Sequence, residues 1–171
     1  MYSIVKAQPA DFTLLADLGK KTFIESHGSS AAPEDINQYV HEKYSSAVCR
    51  QELNEAQNIY HFIYHNNQPA GYSKIILNAA HPNIQAKNVA KLERLYLDSG
   101  FYRLKLGYEL MQFNIELSQK NNQKGIWLFV WTENDRAIHF YLKTGFKIIG
   151  SYDFRLTDTH SNPNHQMFLE Y

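Results

Sequence analysis

The sequence has little of what marks a secreted, membrane-bound or nucleic-acid-binding chain. It holds one cysteine, Cys49, so no internal disulfide can form. Neither charge sign is in excess, since 17 Lys and Arg balance 17 Asp and Glu. A nucleic-acid surface carries a basic surplus, so that partner is not expected. No apolar run approaches the ~20 residues that span a bilayer, and the first ten residues contain no apolar signal core. A membrane partner is therefore not expected, and the expected compartment is the cytoplasm. No His or Cys pair has zinc-ligand spacing, so no metal is expected. Proline (5) and glycine (8) are sparse and form no linker, which predicts a single domain over 1–171. Aromatics are abundant at 14%, and core packing accounts for them best.

Periodicity orders the elements. Tyr2–Ala7 alternates as a strand. Pro9–Asp11 opens a helix whose stripe Leu14, Leu15, Leu18, Phe23 runs to Ser26. Pro33 and Glu34 open a second helix, and Ser46–Asn54 forms a third. Strands over Asn58–Tyr64 and Gly71–Leu77 flank a turn at His65–Gln68, which is a hairpin. Val89–Leu97 reads as a central strand, Gly107–Lys120 as a helix, and Ile126–Trp131 as a buried strand. A short helix ends at Lys143, with Gly145 as its terminator, and strands follow over Phe146–Leu156 and Gln166–Glu170. The order predicts one α/β domain with a mixed sheet.

Two segments carry chemistry. In the first, a buried strand meets a polar bend at Thr132–Asn134, a capped helix and a Gly145-Phe146 re-entry. Asn134 is placed to cap that helix, and Ala137, Phe140 and Tyr141 share one of its faces. By spacing alone, Tyr141 serves equally well as a core residue. The pattern Asn134-x-x-Ala137-x-x-Phe140-Tyr141-x-x-x-Gly145-Phe146 closely resembles the second cofactor motif of the GNAT acyltransferase superfamily. That resemblance implies a GNAT fold: a mostly antiparallel mixed sheet of about seven strands, flanked by helices and splayed at a cofactor cleft. It further implies acetyl-CoA as cosubstrate, with Asn134, Ala137 and Phe140 at the CoA arm and Tyr141 as the acid that protonates the leaving thiolate.

The second segment, Lys91–Leu110, resembles the same family's strand, pyrophosphate loop and helix. A strand that feeds a helix N-terminus through free amides is a sound anion site. The resemblance assigns the backbone of Leu95, Tyr96 and Leu97 to the pantetheine amides. It assigns Tyr102, Arg103, Lys105, Gly107 and Tyr108 to the pyrophosphate end. The family pattern places Gln or Arg, Gly, and Gly or Ala where this chain has Tyr102, Lys105 and Gly107, so only Gly107 agrees. Lys105 either reaches the pyrophosphate with its charge or narrows the site with its bulk.

Amine acetylation requires a neutral amine, and a base or water chain removes the proton. Glu93 falls on the strand face opposite Leu92 and Arg94. It is either a salt-bridging surface residue or, by the resemblance, the base or the group that polarises a water. Thr22–Gly28 and Glu34-Asp35-x-x-x-Tyr39 are similar to a bacterial subgroup that includes polyamine acetyltransferases. The resemblance makes Glu25, His27 and Glu34 contacts for a cationic amine, and puts Asp153 on the substrate or dimer side. By residue type these four are equally capping groups and solvated charges. The expected activity is direct N-acetylation of a small, polyamine-like primary amine, with a homodimer as the expected assembly. The alternative is a binding module of the same fold whose altered loop no longer takes acetyl-CoA.

Overall fold

The computed structural model describes residues 1–171. Strand β1 (Tyr2–Lys6) leads through a short turn into helices α1 (Phe12–His27), α2 (Pro33–Tyr44) and α3 (Ser46–Asn54). Next come β2 (Ile59–His65), β3 (Gln68–Ile76), β4 (Ala90–Leu97), α4 (Leu106–Lys120), β5 (Gly125–Trp131), α5 (Asp135–Lys143), β6 (Lys147–Arg155) and β7 (Ser161–Glu170). The strands form one open seven-stranded sheet in the order β1-β2-β3-β4-β5-β7-β6. Every pairing is antiparallel except β4 with β5.

Local chemistry sets the boundaries. Asn66 and Asn67 both take positive φ (48° and 64°), as a two-residue hairpin turn requires. The Ser45 hydroxyl accepts from the Val48 amide at the start of α3, and Asn134 Oδ1 accepts from the Ala137 amide at the start of α5. Gly145, at φ 98°, ends α5.

Each face of the sheet has its own core. Helices α1–α3 cover one face, packing Leu15, Phe23, Ile36 and Tyr44 on Tyr60, Phe62 and Tyr72. The other face holds α4 and α5, with Met111, Tyr141 and Phe146 packed on Leu92, Ile126, Leu128 and Met167. Gly19 lets α1 and α2 meet closely, since a Cβ there would lie 2.3 Å from the Tyr44 ring.

The last strand departs from the sequence expectation. It begins at Ser161 rather than Gln166 and includes Pro163. Proline has no amide to donate and argues against a central strand. Pro163 is accommodated because its carbonyl is the group used, accepting from the Thr132 amide at 3.0 Å.

Two irregularities in β4 create the site. β4 pairs with β5 at only two positions, Ala90 with Ile126 and Lys91 with Trp127. Beyond these the strands diverge. β4 stays paired with β3 on its other side as far as Leu97, and β5 with β7 as far as Trp131. The second irregularity is a one-residue bulge. Lys74 faces Arg94 while Ile75 faces Leu92, so Glu93 is the extra residue. The bulge overturns the strict alternation expected for this strand. Leu92 turns to the α4 face and Arg94 to the α1–α3 face, rather than sharing one.

Candidate active site

The divergence of β4 and β5 opens a cleft of about 790 Å³ that passes between the two layers. All the residues assigned to catalysis or cofactor from sequence line it: Glu93, Leu95, Tyr96, Leu97, Tyr102, Arg103, Lys105, Gly107, Tyr108, Asn134, Ala137, Phe140 and Tyr141. Of the four assigned to substrate, only His27 does.

At one end lies the start of α4. The amides of Arg103, Leu104, Lys105, Leu106 and Gly107 donate to no protein acceptor, and the first amides of the helix that do are those of Tyr108 and Glu109, both to the Lys105 carbonyl. Five consecutive free donors at a helix N-terminus fit a phosphate group. Arg103, Lys105 and Arg136 add cations beside them. Arg136 also reaches across from α5, donating to the Tyr102 hydroxyl at 2.8 Å with its guanidinium 3.8 Å from the ring centre.

Lys105 adopts φ 61° and ψ 7°, the left-handed conformation that glycine favours. The loop therefore keeps a glycine-like backbone, and the Lys105 side chain projects exposed instead of filling the cradle. Lys105→Gly is expected to raise the unfolding free energy by about 1 kcal/mol by relieving that conformation, read as a higher urea midpoint.

Tyr141 sits at the inner wall. Its side chain is buried against Phe140 and Phe146, and its hydroxyl bonds to no protein atom. Burial pushes the phenol pKa well up, so it stays protonated at neutral pH. Asn134 Oδ1 is committed to the helix cap at 3.2 Å, which leaves its amide nitrogen as the free donor.

Opposite lies a chain of alternating charges that sequence reasoning missed. Arg94 contacts Glu52 at 3.1 Å, Glu52 contacts Lys74 at 3.4 Å, Lys74 contacts Glu93 at 2.5 Å, and Glu93 contacts Lys91 at 3.2 Å. Tyr60 donates to Glu52, and Arg94 lies over the Tyr44 ring. The available signal was charge inside apolar strands: Lys74 in β3, and Lys91, Glu93 and Arg94 in β4. Partial burial pushes the Glu93 carboxyl up, but Lys74, Lys91 and Arg94 outweigh it and hold the pKa at about 2. An efficient base has a pKa near the working pH. Glu93 lines the cleft as expected and is held there as an anion by Lys74 and Lys91.

His27 lies on Phe23 (4.8 Å between ring centres), edge-on to Tyr96 and near Trp131. Burial lowers its pKa to about 4, so it is neutral and not a charged contact. The Ser26 hydroxyl lies 2.8 Å from the Thr22 carbonyl and 2.7 Å from His27 Nδ1.

The other three substrate assignments do not reach the cleft. The Glu25 carboxylate accepts from the Ser99 amide at 2.9 Å and hydroxyl at 2.8 Å. With the Lys21–Asp98 pair, it ties α1 to the connection between β4 and α4. Glu34 is exposed in the first turn of α2, and Asp153 is exposed on β6 opposite Pro163. Helix-end and edge positions leave both in solvent. Cys49 is buried, and burial raises its thiol to about 11, so no reactive thiolate is present.

Comparison with solved structures gives the fold. A PaiA N-acetyltransferase from Thermoplasma acidophilum, in complex with coenzyme A, superposes with TM-score 0.79 at 22% identity, covering 100% of this chain and 99% of that one. The ribosomal-protein-S18-alanine N-acetyltransferase of Escherichia coli superposes with TM-score 0.72 at 17% identity, covering 99% and 94%. An uncharacterized N-acetyltransferase of Mycobacterium tuberculosis is 30% identical over 148 residues, 86% of this chain and 90% of its own. The sequence model of the acetyltransferase (GNAT) family matches residues 21–146. The chain belongs to that family, and is thus an acetyl-CoA-dependent acyltransferase.

Proposed function

We propose that this chain transfers the acetyl group of acetyl-CoA directly to a primary amine of a small molecule. One observation carries the reading: the slot between β4 and β5 runs from five free amides at one end to the unpartnered Tyr141 hydroxyl within. The residues fit the group. The unpaired edge of Leu95–Leu97 offers strand-like hydrogen bonds to the pantetheine amides, and the amides of 103–107 with Arg103, Lys105 and Arg136 take the pyrophosphate. Acetyl-CoA, when bound, supplies the thioester and its acetyl group. Tyr141 holds a proton for the departing sulfur. The inert Cys49 excludes an acyl-cysteine, so the amine attacks directly.

Neither Glu93, held at about 2, nor His27, lowered to about 4, has a pKa suited to take the amine's proton. The surrounding Lys74, Lys91 and Arg94 instead favour the neutral amine by like-charge repulsion. The amine's own titration then governs the pH profile. Glu93→Gln is expected to lower kcat by less than about tenfold, against the hundredfold or more that loss of a general base costs. Its rate–pH curve should keep the wild-type shape, and an inflection lost on substitution would make Glu93 the base.

Calorimetry with acetyl-CoA, followed by thiol release across a panel of amines, tests the reading. Binding followed by amine-dependent release supports it. Absence of heat at high acetyl-CoA concentration would favour a binding module instead.

A further inference from the structure

The acceptor side of the cleft carries more positive charge than it neutralises. In the ion-pair chain, Arg94, Lys74 and Lys91 share only Glu52 and Glu93. Lys43 adds a further cation to the same cleft, and no other carboxylate lines it. The whole chain is neutral, so this surplus is local. The surplus is also partly desolvated. The Lys74 and Arg94 side chains are 6% and 9% exposed. A cation held away from water is costly unless an anion meets it.

The chain of charges ends at Lys91, whose only carboxylate partner is Glu93 and whose side chain keeps 24% of its surface open. Its ammonium stands 5.3 Å from the Trp127 ring centre and 5.8 Å from that of Phe129. The adjoining wall is apolar and aromatic: Phe23, Tyr96, Phe129, Trp131 and Phe154 line the cleft with the neutral His27. A ligand that fits therefore brings one negative group to the lysines and a flat or apolar body to that wall. A polycation meets like charge there.

Resting on the acyltransferase reading above, we infer that the acceptor is an α-amino acid with an aromatic or large apolar side chain. Its carboxylate is held by Lys91, with Lys74 and Arg94 behind. The same cations that hold the carboxylate favour loss of the amine's proton. In the transfer, the amine nitrogen bonds to the acetyl carbon, the carbon–sulfur bond breaks, the sulfur takes a proton from Tyr141, and the proton lost by the amine passes to water, from which Tyr141 is reprotonated.

The test compares L-phenylalanine, phenethylamine, L-phenylalaninamide and spermidine in a thiol-release assay with acetyl-CoA. Rates are corrected for each amine's neutral fraction, and acetyl-CoA binding is measured by calorimetry on the same preparation. kcat/KM for L-phenylalanine is expected to exceed that for phenethylamine and the amide by about tenfold to a hundredfold, the range of a charge-assisted hydrogen bond. In Lys91→Met, with acetyl-CoA affinity confirming that it is folded, that ratio should fall close to one. Equal or faster transfer to the carboxylate-free amines, preference for spermidine, or a ratio untouched by Lys91→Met overturns the inference. Binding of acetyl-CoA with no transfer to L-phenylalanine also overturns it while the acyltransferase reading stands. No acetyl-CoA binding takes both down.

Discussion

A Tyr141→Phe enzyme is expected to bind acetyl-CoA as tightly as the wild type and to lose about a hundred- to ten-thousand-fold in kcat, the range of a positioned acid. The substitution removes one oxygen that bonds to no protein atom and leaves the ring between Phe140 and Phe146. The fold thus has little to lose, and the effect isolates the proton. Burial keeps the phenol protonated throughout the working range, so it is a donor at every pH where the amine is reactive. Steady-state kcat alongside calorimetric affinity decides the matter. Unchanged kcat removes Tyr141 from the chemistry.

The second large effect is on stability. Glu52→Leu is expected to cost about 3–5 kcal/mol, the range for breaking a buried ion pair from one side. Glu52 joins Lys74 and Arg94, whose side chains have almost no access to water, and accepts from Tyr60. Its loss leaves two cations facing each other. Urea unfolding reads the cost, and adding Arg94→Met should recover part of it because one orphan charge disappears. A loss below about 1 kcal/mol, the value of a surface pair, would mean that water reaches the cluster. Glu93 adds a pH dependence to the same cluster. Its carboxyl drops from 4.5 to about 2 on folding, so its contribution is complete above pH 4.5 and is lost as pH falls toward 2.

The elements that sequence made legible are those whose signals are local. The cap at Asn134, the turn at Asn66-Asn67 and the Gly145 stop act within four residues, and periodicity placed α4 and β5 to within one residue and α1 to within three. The cofactor half of the site was legible for the same reason, because Leu95–Gly107 and Asn134–Tyr141 are two contiguous segments. The acceptor half joins Glu52 in α3, Lys74 in β3 and Arg94 in β4, which are 42 residues apart at the extremes and meet only through the sheet. Nothing local to Glu52 announces that pairing. Glu25 shows the converse. It has the right charge on the right helix, but Ser99 claims its carboxylate from 74 residues away. The start of β7 was missed because Pro163 argues against a strand unless its carbonyl side is the side in use.

The extra residue in β4 decides which chamber each side chain enters. With Glu93 bulged out, Arg94 and Tyr96 look toward α1–α3, while Leu92, Leu95 and Leu97 look toward α4 and α5. A strand that took Glu93 into its regular pleating would pass every downstream group through the sheet. The guanidinium would enter the apolar layer beneath α4, and leucines would stand where the acceptor binds. Deleting the bulged residue, by contrast, would leave every other side chain of the strand on its present face, so the bulge and not the residue count keeps the two halves of the molecule apart.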